Sequence, residues 1–281
     1  MPYESYLGSI SHPRSGIYRR VFRTQTPEET SGAILWSQAM ASSLLTLTSM
    51  LEVALRNRIH LSLSRQSSLA VTGAEQDSHA WYDHTLGWKT LNGETYSKVQ
   101  DLLYKNGMRL QIQPTPDRVV SRLSFGVWPN ILDSQLTQTE QRQTFNDVFS
   151  HHPKKVRKHW DFENARKDCV AVCKDAQNMR NRLSHCRPLW PEGWFRNDGI
   201  QHWTDMLNRL SSRRASFVQA LSWICPGTAS MYATSFAGQW FDQLSQADAV
   251  IAYVQQPLAA GVNLQIPKAD ATAMKAYMAR K

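Results

Sequence analysis

The chain has 281 residues, 42% of them hydrophobic and 20% charged, which excludes an intrinsically disordered polymer and leaves room for one large core or two smaller ones. Lys and Arg number 32 against 23 Asp and Glu, so the formal charge of +9 makes anionic partners, nucleic acid above all, the expectation. No apolar signal core opens the sequence, no membrane partner is expected, and the four cysteines are expected to stay reduced in the cytoplasm.

Residues 1–25 are expected to form an N-terminal arm. Thr26-Pro27-Glu28-Glu29 then carries a helix start: a threonine cap, proline at the first helical position and glutamate three residues after the cap. A helical pattern runs on to about Leu63, with a break expected near Ser31-Gly32. Its most apolar stretch, Ala39 to Leu55, is interrupted by serine, threonine and Glu52 and reads as a buried helix face rather than a membrane span. Residues 67–95 read as loop, anchored by Trp81, Tyr82 and Trp88.

Shorter helices are expected at about 96–106, 116–123, 139–149 and 153–160, and a long amphipathic helix from about Asp161 to Ser184. Another covers about 198–223, ended by Pro226-Gly227. One more helix is expected around Ser230 to Leu244, and Val250–Val254 with Gly261–Ile266 form a candidate hairpin. Strand alternation is otherwise sparse. The fold class is therefore all-α: a helical bundle over 26–226 with a small mixed C-terminal extension over 227–281.

The candidate chemistry sits at the end of the Asp161–Ser184 helix, in Arg180-Asn181-Arg182-Leu183-Ser184-His185. An imidazole that moves protons, a guanidinium that holds phosphate charge and an amide that orients both suffice for metal-free RNA cleavage. Asn181 and His185 share a helix face as an i, i+4 pair, while Arg180 and His185 are roughly 140° apart around the axis. Pro188 ends the helix close to His185, where a relaxed last turn lets the ring swing. The alternative is an exposed helix end with solvated arginines and a capping histidine.

A near-copy, Arg56-Asn57-Arg58-Ile59-His60, is one residue shorter and reads either as a second half-site or as a Glu52–Arg56 ion pair with His60 on the helix flank. The basic run Lys154-Lys155-Val156-Arg157-Lys158 and Arg182 are the candidate RNA-backbone contacts, with Arg213-Arg214 as an extension; a solvated face is the alternative. Trp128, in Phe125-Gly126-Val127-Trp128-Pro129, either stacks on a base or packs in the core, the latter being favoured. Cys169, Cys173 and Cys186 match no common zinc spacing, so no metal and no cofactor is expected.

Arg180-Asn181-x-x-x-His185 resembles the R-x4–6-H signature of the HEPN superfamily of helical ribonucleases. Leu51-Glu52-Val53-Ala54-Leu55-Arg56-Asn57-Arg58-Ile59 and Leu123-Ser124-Phe125-Gly126-Val127-Trp128-Pro129-Asn130-Ile131-Leu132 resemble segments of its Abi-like, abortive-infection branch. The likeness spans roughly residues 30–210. It implies a homodimer with a composite active site and cleavage by the ribose 2′-hydroxyl, which leaves a 2′,3′-cyclic phosphate and spares DNA. It also implies Glu52, Arg56 and Asn57 as supporting groups, and a defence or toxin role held in check by an antitoxin protein or small RNA. A non-catalytic RNA-binding protein and a helical oligomerisation module are the competing readings.

Overall fold

A computed structural model describes residues 2–88, 91–154, 157–191, 202–258 and 271–279. The protein is all-α; among the described residues the strands are confined to one two-stranded pair. The chain divides into two compact units, the first of Met1–Leu47, Met179–Ser216 and Met231–Lys281, the second of Thr48–Asn178 and Phe217–Ser230.

The N-terminal arm is itself helical, with α1 at Pro2–Gly8 and α2 at His12–Phe22. Helix α3, Pro27–Thr72, starts where its capping signal lies: Glu29 N–H donates to Thr26 Oγ1 at 3.1 Å and the Glu29 carboxylate accepts from Gln25 N–H at 2.7 Å. No break occurs at Gly32, which is there for contact rather than for bending. A Cβ at that position would lie 2.0 Å from the Tyr253 carbonyl oxygen, so only glycine lets the two backbones meet. The helix also runs past Leu63 to Thr72, through a serine-rich stretch whose composition reads as loop. Ser67, Ser68 and Thr72 donate back to the carbonyls of Ser64, Arg65 and Ser68, so hydroxyls that favour turns in water are satisfied inside the helix. By length and composition α3 is apolar enough to span a membrane, and half of that window is buried within the protein.

In the first unit, Tyr18, Phe22, Trp36, Trp190 and Trp203 form an aromatic core, Trp190 meeting Tyr18 and Phe22 edge-on at 5.4 and 5.6 Å. The Trp36 indole donates to Leu244 O at 2.9 Å and Tyr277 Oη to Phe22 O at 2.7 Å, closing the far end of the sequence onto the beginning. Helices α9 (Trp203–Ile224), α10 (Pro226–Thr234), α11 (Phe236–Leu244), α12 (Ala247–Gln255) and α13 (Ala271–Met278) complete the chain.

Three expectations for this tail change. Pro226 does stop α9 but immediately opens α10, because proline fits the first turn of a helix. The single helix expected over Ser230–Leu244 is split at Ser235, whose hydroxyl caps α11 by accepting from Gly238 N–H at 3.2 Å. Val250–Val254 is no strand: it lies in α12 with every residue from Ala249 to Val254 buried, and an apolar run wrapped on all sides carries no periodicity that separates helix from strand. Its expected partner, Gly261–Ile266, lies outside the described residues.

The second unit packs the rest of α3 against α4 (Gly93–Leu103), α5 (Pro116–Arg122), α6 (Val127–Asn130), α7 (Gln138–Val148) and the body of α8 (Glu163–Ser184). Its core holds Leu51, Leu55, Ile59, Trp81, Trp128, Phe145, Phe149 and Trp160. A hairpin replaces the expected end of the helix at 106: β1, Tyr104–Lys105, pairs antiparallel with β2, Met108–Arg109, around Asn106 and Gly107, both at positive φ (52° and 76°). That geometry is the type I′ turn Asn-Gly favours. Of the segment 153–160 expected as a helix, residues 155 and 156 lie outside the described residues, and the rest holds a 3₁₀ turn at Arg157–Asp161.

Candidate active site

Helix α8 buries Cys169, Val170, Cys173, Ala176, Met179 and Leu183 along one side, which fixes the outward placement of the residues between them. Its last turns belong to the first unit. There Arg180, Asn181 and Arg182 are half-buried and His185 is exposed.

The helix ends on His185 in an ordered way. Cys186 takes a left-handed conformation at φ 50°, its amide donates to Leu183 O at 2.9 Å, and Arg187 N–H donates to Arg182 O at 2.9 Å. This is the Schellman pattern, with cysteine where glycine is usual. Two arginines hold the turn from outside the helix ladder: Arg14 of α2 donates to the Cys186 carbonyl, and Arg182 Nη1 donates to Pro188 O at 3.2 Å. The chain then dives into the core at Leu189 and Trp190. Local sequence thus stops the helix, and the aromatic core anchors the chain beyond it.

The backbone amide of His185 donates to Asn181 O at 3.2 Å, as the i, i+4 spacing requires. Among the described residues, the ring nitrogens of His185 and the side-chain amide of Asn181 make no hydrogen bond.

The candidate RNA-contacting residues fare unequally. Lys154 and Lys158 are exposed. Arg182 spends one donor on Pro188 O. Lys155 and the Arg157 side chain lie outside the described residues. Arg214 does not extend a solvated surface: it pairs with Asp242 at 3.3 Å and lies over the rings of Tyr232 and Phe241 at 5.5 and 5.3 Å. Trp128 is fully buried, so it is core and no stacking platform.

Cys169 and Cys173 are buried, and desolvation holds both thiols protonated, Cys169 at a pKa pushed up to about 12. Among the described residues no three histidine, cysteine or acidic side chains cluster as a metal site would.

The near-copy on α3 has a different environment. Glu52 is buried, Arg56 half-buried and Asn57 exposed, and Arg56 Nε donates to Asn57 Oδ1 at 3.3 Å. His60 does not ride the helix flank; it is only 5% exposed. The Trp81 indole donates to its Nδ1 at 2.9 Å, Ser64 Oγ stands 3.3 Å from the same nitrogen, and Asp117 Oδ1 is 3.5 Å from Nε2. Burial pushes its pKa down, with Asp117 pulling the other way. Arg56, Asn57, His60, Asp77, Asp117 and Ser121 line a cavity of ≈ 410 Å³ beside this ring. Neither Trp81 nor Asp117 was foreseeable as a partner, since they lie 21 and 57 residues away in sequence without a local pattern linking them.

His185, by contrast, stands exposed at a helix end. Comparison of the chain with protein-family models, curated proteins and solved structures returns no match.

Proposed function

We propose that this protein is a metal-independent endoribonuclease of HEPN type, with His185, Arg180 and Asn181 at its chemical centre. The observation that carries the reading is the exposed ring of His185 one turn from the half-buried amide of Asn181, neither hydrogen-bonded among the described residues, on the helix that also carries Arg180. The charge of +9 supports a polyanionic substrate.

In this scheme His185 removes the proton from a ribose 2′-hydroxyl. The freed oxygen forms a bond to the adjacent phosphorus while the bond from phosphorus to the 5′-oxygen breaks. The 5′-oxygen leaves with a proton, giving a 5′-hydroxyl and a 2′,3′-cyclic phosphate. Arg180 neutralises charge growing on the phosphorane oxygens, and Asn181 orients phosphate or ring. One imidazole serves one proton transfer at a time, so a homodimer facing two such helix ends supplies base and acid together. Lys154 and Lys158, both exposed, offer charge to an RNA backbone, and the HEPN resemblance implies Glu52, Arg56 and Asn57 as supporting groups. Cellular use as a defence or toxin nuclease, restrained by an antitoxin protein or small RNA, is implied by the same resemblance.

The test is brief incubation of RNA with purified wild type and His185→Ala, with and without chelator, and then mapping of the RNA ends. Cyclic-phosphate ends that appear with wild type, survive chelation and vanish in the variant support the proposal. Equal cleavage by both proteins sinks it. A second reading, non-catalytic RNA binding, draws on the exposed Lys154 and Lys158; under it both proteins bind RNA and neither cuts.

A further inference from the structure

The ring of His60 is a fixed hydrogen-bond donor. An indole nitrogen can only donate, so the Trp81 contact at 2.9 Å makes His60 Nδ1 an acceptor and places the ring proton on Nε2. Adding a second proton would set N–H against N–H, and burial already disfavours the cation. The ring is therefore no proton shuttle near neutral pH.

Its Nε2–H is buried and, among the described residues, has the Asp117 carboxylate oxygen at 3.5 Å as its acceptor, a contact that pulls on the ring but is too long for a well-formed hydrogen bond. A buried donor left so costs about 1–3 kcal/mol unless something accepts from it. The residue carrying it lines the ≈ 410 Å³ cavity, a volume within the usual span of small-ligand pockets, about 300–1,000 Å³.

The lining narrows the occupant. A metal ion needs a lone pair on Nε2, and this tautomer has none there. A bare phosphate is opposed by two carboxylates, Asp77 and Asp117, with Arg65 already committed to Asp77 at 2.7 Å and only Arg56 left to attract it among the cavity's own residues. A neutral group bearing both donors and acceptors fits better. The Asn57 amide donates to it, Asp117 and Ser121 accept from it, Leu61 and Val120 offer apolar contact to a ring face, and a shift of the exposed Asp117 carboxylate opens His60 Nε2–H as a second donor.

We infer that this cavity is a nucleoside subsite: it takes one nucleoside of an RNA strand, base edge or ribose hydroxyls on His60, Asn57 and Asp117, with the attached phosphate beside Arg56. The choice of a nucleoside rests on the RNA reading above; the donor, the cavity and the charge pattern do not.

The test uses full-length protein carrying His185→Ala, so that binding is read without cleavage. Tryptophan and histidine ¹⁵N resonances are monitored while nucleoside 5′-monophosphates, free nucleosides and inorganic phosphate are added separately. Millimolar nucleotide and nucleoside should shift the Trp81 indole and His60 Nε2 signals, and inorganic phosphate should not. Asn57→Ala and Asp117→Ala, both at exposed positions, should each weaken nucleotide binding about fivefold to tenfold while leaving the melting temperature in place. Equal shifts from inorganic phosphate, or none from any nucleotide, overturn the inference. Wild-type nuclease activity is scored separately, so cleavage without nucleotide shifts removes the subsite alone, and shifts in a protein that never cleaves remove the nuclease alone.

Discussion

Two stretches of this chain spell nearly the same word, Arg56-Asn57-x-x-His60 and Arg180-Asn181-x-x-x-His185, and the fold treats them in opposite ways. His185 stands exposed on a helix C-cap, its ring nitrogens without a hydrogen bond among the described residues. His60 is walled in, pinned by an indole, and held neutral. Residue types alone cannot tell a proton carrier from a fixed donor. Solvent access and the partner on the second nitrogen decide.

The largest expected effect tests the exposed histidine. His185→Ala and Arg180→Ala should each lower RNA cleavage at least about 10²-fold, the typical worth of one proton-transfer group or charge partner, with little change in thermal stability. Single-turnover cleavage rates and a melting curve on the same samples check both halves. A variant that cuts normally would dissolve the contrast.

For the buried histidine the order of effects reverses. Trp81→Phe leaves His60 Nδ1 without its indole donor, and that loss should cost at least about 1–3 kcal/mol of stability, read from denaturant midpoints. A cost near zero would mean that another donor replaces the indole and that His60 is not locked in one tautomer.

A pH series sharpens the same point. His60 and His152 both have pKa values lowered by burial, so the unfolded chain, with histidine near about 6.5, binds protons more tightly than the folded one. Their contribution to stability is complete above that value and shrinks as the pH falls towards the folded-state values. Melting temperatures should therefore drop between neutral pH and about pH 5, and the drop should be shallower in His60→Leu. An acid slope identical in the variant would place the titration elsewhere.

The smallest effect concerns the turn that presents His185. Cys186 occupies a left-handed position, which a residue with a Cβ adopts at a cost of roughly 1 kcal/mol. Cys186→Gly should raise stability by about 0.5–1 kcal/mol, measured by denaturant titration, and leave cleavage unchanged.

Much of the scaffold was legible because its causes are local. The Thr26 cap, the amphipathic stripe of α8 and its end before Pro188 are dictated by residues within a turn or two. The hidden features depend on distant parts. The serines of α3 stay helical because their hydroxyls find carbonyls in a buried setting, the break at Gly32 vanishes because the Tyr253 backbone fills the gap, and the tail strand is a helix because all its faces are covered. The site divides the same way. The exposed end at His185 was readable from proline and helix arithmetic, whereas the fate of His60 hangs on Trp81 and Asp117, which no spacing announces.

Arg14 grips the carbonyl just beyond His185 from 172 residues earlier in the chain. Helix α2 therefore braces the histidine's own turn, and Arg14→Ala would slacken it while leaving every side chain of Arg180, Asn181 and His185 in the sequence.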